Sequence, residues 1–250
     1  VVARLRAAGC VFAEDEAALL MAAAAEGGTD LTAMVERRVG GLPLEQVIGW
    51  AEFCGVRIAV DPGVFVPRHR TELLVREAAA LAHPGAVVVD LCCGTGALGV
   101  ALASLVGEIE LHAADIDPVA VRCARRNLAA MGRVYEGDLF LALPAMLLGR
   151  VDVLLANTPY VPSEEVELLP REARDHEARG ALDGGADGLD VQRRVAAAAP
   201  EWLAPGGHLL METSDQQASR AAGILGAAGL SARVARSEEL EATVVIGTRR

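Results

Sequence analysis

Two short runs in the 250-residue chain carry residues whose types and spacing suit chemistry. The first is Val87-Val88-Val89-Asp90-Leu91-Cys92-Cys93-Gly94-Thr95-Gly96-Ala97-Leu98-Gly99, a buried-strand pattern that runs into a glycine turn and then a helix. It contains GxGxxG, which alone also fits a dinucleotide site. Asp90 discriminates: a carboxylate at the strand's end would repel a pyrophosphate and attract a cationic ligand. S-adenosylmethionine, with its ammonium and sulfonium, is such a ligand. Its ribose needs acceptors for two hydroxyls, and Asp115, followed by Ile116, stands at the end of the next strand. Asp138 follows the third strand, where it can accept from the adenine amino group while Leu139 packs on the ring. Asp117 reads as the cap of the next helix, and Cys92 and Cys93 as small, unreactive loop fillers. The expected cofactor contacts are thus Asp90, Cys92, Cys93, Gly94, Thr95, Gly96, Asp115, Ile116, Asp138 and Leu139, with Asn157 facing them.

The second run is Asn157-Thr158-Pro159-Tyr160, directly after the apolar strand pattern Leu154-Leu155-Ala156. Asn157 is one of only two asparagines in the chain, which makes a merely generic turn residue a weaker reading. The chemistry it suits is methyl transfer to a planar NH₂ group, whose delocalised lone pair makes it a poor nucleophile. The Asn157 side-chain oxygen and the Thr158 carbonyl can accept both N–H bonds and aim the nitrogen, while Pro159 stiffens the turn and Tyr160 covers the plane.

Composition removes several alternatives. All 23 basic residues are Arg, so Schiff-base lysines and the phosphate-loop lysine are absent. A net charge of −11 and 3% aromatic residues disfavour direct nucleic-acid binding, which needs clustered cations or stacking rings. Five cysteines without a CxxC pair and five scattered histidines without HExxH supply no metal site, and the unpaired thiols point to a reducing, cytoplasmic setting. No signal-peptide pattern opens the chain. The apolar stretch from Val87 to Val106 contains Asp90 and three glycines, and so reads as strand, turn and helix, not as a membrane span.

The elements that must position these runs follow from periodicity. Residues 1–46 predict a small helical domain, a pair of helices separated at Glu26–Asp30; residues 47–66 predict an extended hairpin or linker. Over 67–250, strands at 86–91, 109–114, 133–136, 151–156, 207–212, 230–235 and 242–248 alternate with helices near 97–105, 117–130, 188–203 and 215–228. That is an α/β fold: a seven-stranded, mostly parallel sheet with helices on both faces and a final antiparallel hairpin. The Pro-, Gly- and acid-rich interruption at 157–187 follows a strand's carboxyl end, where such sheets bind ligands.

The whole pattern resembles the protein-(glutamine-N5) methyltransferases, the HemK/PrmC family that modifies peptide-chain release factors. The resemblance rests on Gly41-Leu42-Pro43-Leu44-Glu45-Gln46-Val47-Ile48-Gly49, on Val60-Asp61-Pro62-Gly63-Val64-Phe65-Val66-Pro67-Arg68, on Asn157–Tyr160 and on Ala181-Leu182-Asp183-Gly184-Gly185 through Asp190. It implies the class I S-adenosylmethionine-dependent methyltransferase fold, S-adenosylmethionine as cofactor, a protein substrate of which a release factor is the known example, glutamine binding by Asn157–Tyr160, and a cofactor site that includes Asp90, Asp115 and Leu139. The chain departs from the family's Asn-Pro-Pro-Tyr at Thr158, which keeps the backbone carbonyl, and from its Pro-Arg-Pro-Glu-Thr-Glu at His69 and Arg70. The stretch before Gly41 is also shorter than the family's recognition domain, so a divergent branch is implied. The nearest alternatives are methylation of an exocyclic base amine and a catalytically silent S-adenosylmethionine-binding module. A calorimetric comparison of the two candidate cofactors checks the glycine loop: S-adenosylmethionine should bind and NADH should not.

Overall fold

The computed structural model describes residues 1–250. Four helices open the chain: α1 (Val2–Ala7), α2 (Ala13–Gly27), α3 (Leu31–Val39) and α4 (Leu44–Ile48). They enclose a small core that includes Leu5, Leu20, Met34, Val35 and Val47. The expected helical pair is therefore a group of three with a fourth short turn, because Gly9, at φ +91°, breaks the first helix from the second. Asp30 caps α3 by accepting from the Thr32 amide at 2.9 Å. Pro43 opens α4 and left-handed Gly49 ends it, so the boundary expected at residue 46 falls inside a helix and the extended segment starts later than 47.

That segment is a hairpin of β1 (Trp50–Phe53) and β2 (Val56–Ala59), closed by Cys54 and Gly55, both at positive φ, as a two-residue hairpin turn requires. A helix not anticipated from the sequence, α5 (Glu72–Ala79), follows; it buries Leu73, Leu74, Val75 and Ala78 along one side. Then come β3 (Val87–Leu91), α6 (Ala97–Val106), β4 (Glu110–Asp115), α7 (Pro118–Leu128), β5 (Gly132–Glu136), β6 (Val151–Ala156), α8 (Arg171–His176), α9 (Asp190–Trp202), β7 (Leu203–Thr213), α10 (Ala218–Ala227), β8 (Ser231–Ser237) and β9 (Ala242–Thr248).

The seven strands form one sheet in the order β5-β4-β3-β6-β7-β9-β8. The first five are parallel, and β9 inserts antiparallel between β7 and β8. Alternation divides the strand residues between two faces. Val88, Ala113, Leu155 and Leu210 join a 25-residue core beneath α5, α6 and α7; Val89, Ala114, Leu154 and Leu209 join a 22-residue core beneath α9 and α10. Near-equal cores on both faces explain why β3 and β6 are almost continuously apolar. Chain order reverses direction between β3 and β6, and the crevice beyond their carboxyl ends is where a doubly wound sheet places a ligand.

The N-terminal helices are fastened to the 157–187 segment. Arg38, whose side chain is 7% exposed, pairs with Glu16 at 2.6 Å and with Glu172 of α8 at 2.7 Å, and it donates to the Leu42 carbonyl at 3.0 Å. Gln46 donates to the carbonyls of Val64 (3.1 Å) and His176 (3.3 Å). Truncating Arg38 leaves Glu16 buried beside an empty site. Arg38→Ala should therefore lower unfolding stability by about 3 kcal/mol in chemical denaturation; a change under about 0.5 kcal/mol, the usual range for an exposed residue, would show that the pair is solvated and idle.

Candidate active site

Register fixes the geometry of the crevice. Leu91 is paired with Ala114 on one side and with Ala156 on the other, and Ala156 is paired with Met211. The next residue on each strand is therefore Asp115, Cys92, Asn157 and Glu212, a row across four adjacent strand ends spaced about 4.8 Å apart. Three of these open onto one cavity of about 490 Å³, in the range of small-molecule sites; Glu212 lies behind its wall.

The cofactor loop is shaped by backbone geometry. Cys92 and Gly94 have φ of +55° and +54°, and Gly96, at +77°, begins α6. A Cβ on Gly96 would stand 2.8 Å from Leu128 Cδ1, so only glycine lets the loop lie against α7. The Gly94 amide donates to Asp115 Oδ2 at 2.8 Å, and the Asp117 amide donates to Asp115 Oδ1 at 2.9 Å. Asp115 thus pins the loop and still faces the cavity with Cys92, Cys93, Gly94, Thr95 and Ile116. Burial raises its carboxyl above the ordinary range, an effect opposed by those amides. Ile116 is 68% exposed at this edge, an apolar surface suited to one side of an adenine ring. Asp117 caps α7 as expected, accepting from Val119.

Four expected cofactor contacts, Asp90, Gly96, Asp138 and Leu139, lie outside the lining of this cavity. Asp90 is fully buried beneath the loop and does not line the cavity; its Oδ2 accepts from the Gly99 amide at 3.3 Å and its Oδ1 has no partner. The last-but-one residue of an alternating strand points into the core beside Val88, which is why it stands beneath the loop and not in the cavity. Burial pushes its carboxyl up to about 7, with a smaller contribution from Asp115. Gly96 is also outside the cavity and acts through the close approach described above. Asp138 lies beside a smaller adjoining pocket with Leu139, Ile116 and Asp115, but its Oδ2 is held by Arg194 at 2.6 Å. Leu139, at a left-handed φ of +48°, lines the same small pocket. Desolvation, with nearby carboxylates, raises the Cys92 and Cys93 thiols well above the ordinary range, which disfavours their thiolate forms.

The acceptor turn is braced from behind. Asn157, Thr158, Pro159 and Tyr160 all line the cavity. The chain's other asparagine, Asn127, spends its amide on Ala59 and Thr95, whereas the Thr158 carbonyl accepts no hydrogen bond from the chain and stays available. The Tyr160 carbonyl accepts from Gln217 at 3.0 Å. Val161 exchanges backbone bonds with Leu182 and Gly184, and Ser163 donates through its amide to Gly185. A Cβ on Gly184 would lie 2.7 Å from the Pro159 oxygen, and one on Gly188 would lie 2.2 Å from the Tyr160 oxygen. The Asp183–Gly188 run is thus the backrest of the turn, which accounts for Gly184 and Gly188; Gly185 makes room for Asp190 instead.

Sequence reasoning left Glu212 without a role. Its Oε1 accepts from the Tyr160 hydroxyl at 2.8 Å and from Arg70 Nε at 3.3 Å. The available signal was an acid at the end of Leu209-Leu210-Met211, in line with Asn157 on the neighbouring strand. Arg68, at the same mouth, pairs with buried Glu177 at 2.6 Å, and the Val66 amide shares that carboxylate.

Residues 55–186 match the model of the methyltransferase small domain. A release factor glutamine methyltransferase from Geobacter sulfurreducens is 39% identical over 199 residues, which cover 78% of this chain and 69% of that protein. One from Cereibacter sphaeroides is 38% identical over 221 residues, 86% of this chain and 77% of that protein. The chain belongs to the release factor glutamine methyltransferase family. A solved methyltransferase from Pyrococcus furiosus, 17% identical, superposes with a TM-score of 0.60 over 78% of this chain and 89% of its own, which shows the shared fold. Family membership and fold agree with the methyltransferase reading of the two runs.

Asp90 offers a pH test. Its folded-state value of about 7 lies above the ordinary 3.8, so the folded protein holds a proton that the unfolded chain releases between them. Stability then falls as pH rises through that window. The unfolding free energy of the native protein minus that of Asp90→Asn should decline between about pH 4 and about pH 7 and level off above it. A constant difference across the window would show that Asp90 is ionised throughout.

Proposed function

We propose that this chain transfers a methyl group from S-adenosylmethionine to the side-chain amide nitrogen of a glutamine in a protein, and that the protein is a peptide-chain release factor. The observation that carries the reading is that the Asn157–Tyr160 turn and the Cys92–Thr95 loop share one cavity, on adjacent parallel strands joined in register at Leu91 and Ala156.

The residues present fit the cofactor. The loop offers backbone amides and small side chains, Asp115 stands where ribose hydroxyls need acceptors, and Ile116 with Leu139 offers apolar surface for the base. When bound, S-adenosylmethionine supplies an electrophilic methyl on a positively charged sulfur. Everything else falls to the chain. The Asn157 side-chain oxygen and the Thr158 carbonyl accept the two amide hydrogens, which fixes the rotation of the carboxamide and orients its nitrogen. Pro159 removes freedom from the turn, and the Tyr160 ring covers the plane of the amide. Rate then comes from orientation, not from a strong base. The nitrogen becomes acidic once the methyl has arrived, so its proton can depart to solvent.

Thr158 in place of the family's proline retains the carbonyl that the mechanism uses. The side chain is buried and its hydroxyl makes no hydrogen bond within the chain, so the mechanism assigns the hydroxyl no role. The five free thiols fit a reducing cytoplasm as the place of action, and no helix is long and apolar enough to cross a membrane.

Incubation with labelled S-adenosylmethionine and, separately, a purified release factor, tRNA, rRNA and DNA tests the reading. Label should appear on the release factor alone, and Asn157→Ala should reduce it by about 100-fold or more while leaving S-adenosylmethionine affinity unchanged. Label on nucleic acid alone, or full transfer by the variant, would contradict it.

A further inference from the structure

The Glu212 carboxylate is a feature that the proposed mechanism does not use. Its side chain is 3% exposed, it lies outside the cavity, and it meets the cavity only through two residues that do line it. Tyr160 donates its hydroxyl to Oε1 at 2.8 Å, and Arg70, half exposed at the mouth, donates Nε to the same oxygen at 3.3 Å. The Arg70 guanidinium carbon stands 6.0 Å from the Tyr160 ring centroid. Oε2 is buried and accepts from no group of the chain. The backbone around Glu212 is held independently: Gln192 donates to its carbonyl at 2.9 Å, and the strand pairs on both sides.

We propose that Glu212 is a positioning residue for methyl transfer: it holds the Tyr160 ring in the orientation that covers the acceptor amide, and through Arg70 it ties that orientation to the substrate mouth. The claim rests on the glutamine-methylation reading for its kinetic part. Two consequences separate this role from general stabilisation. The Tyr160 hydroxyl is committed to Glu212, so it neither donates to the substrate nor removes a proton from it; the ring face is what contributes. The positions of Arg70 and Tyr160 are also coupled, so the departure from the family's sequence at Arg70 acts on the acceptor turn through a shared carboxylate. Burial, followed by the charge of Glu212, raises the Tyr160 phenol above its ordinary range, in keeping with a neutral hydroxyl that only donates.

The test is a double-mutant cycle on kcat with a purified release factor as substrate, together with a readout that does not need turnover. Glu212→Ala should lower kcat by about 10- to 100-fold, the range for a hydrogen bond to a charged group, with S-adenosylmethionine affinity unchanged. In a Tyr160→Phe background the same substitution should cost much less, because the hydroxyl it orients is already gone. Glu212→Gln, which keeps an acceptor oxygen, should restore part of the loss; it carries the cycle alone if the alanine variant does not fold. In protein labelled with 3-fluorotyrosine, the ¹⁹F resonance absent from Tyr160→Phe belongs to Tyr160, and it should shift in the Glu212 variants. Equal losses of kcat in both backgrounds, or an unmoved Tyr160 resonance, would overturn the proposal. If the native protein transfers no methyl to the release factor, the functional reading falls, and the resonance alone decides the positioning claim.

Discussion

The in-register parallel pairing of β4, β3, β6 and β7 is the constraint on which the rest of the structure depends. Because Leu91 pairs with both Ala114 and Ala156, and Ala156 with Met211, Asp115, Cys92, Asn157 and Glu212 emerge side by side at one edge of the sheet. A slip of one residue on β6 would turn Asn157 toward the opposite face. The sheet is buried on both faces, which makes such a slip costly and holds the Cys92–Thr95 loop and the Asn157–Tyr160 turn at fixed relative positions.

Around that edge, polar contacts hold loops to the rigid sheet. Asp115 pins the cofactor loop through the Gly94 amide, and Asn127 ties the same loop, through the Thr95 carbonyl, to the hairpin at Ala59. Gln217 and the Asp183–Gly188 run support the acceptor turn from behind. Glu177 and Arg68 hold the segment before α5 against the loop that follows the turn, and Arg38 fastens the N-terminal helices to α8. Residues remote from the cavity therefore serve its geometry, so glycine and acid positions outside the two obvious motifs matter.

Much of this was legible in the sequence, for identifiable reasons. All seven strands of the sheet and the antiparallel ending follow from the alternation of apolar runs with amphipathic stretches, and the strand boundaries agree with the structure to within a few residues. Asn157–Tyr160 and Asp115 stood out because polar residues directly after an apolar strand have few structural uses. The differences have several causes, the first being that which way a side chain points depends on its place in the strand. Asp90 has the spacing of a ligand contact, yet it falls on the buried phase of β3. Glu212 looked idle because its partners, Tyr160 and Arg70, are 52 and 142 residues away in sequence. α5 was hidden because its apolar face is short and follows a proline-rich run, and Asp138 acquired Arg194 from a helix whose register the sequence does not disclose.

Most of the chemistry proposed here reduces to one spatial claim: the strand-end row presents a methyl donor on one side and a fixed carboxamide on the other. A crystal structure of the protein with S-adenosylmethionine tests this most directly. The account predicts density for the cofactor in the cavity between the Cys92–Thr95 loop and Asp115, with the sulfonium methyl directed at Asn157. Density outside this cavity, or a methyl group directed away from the Asn157–Tyr160 turn, would contradict it.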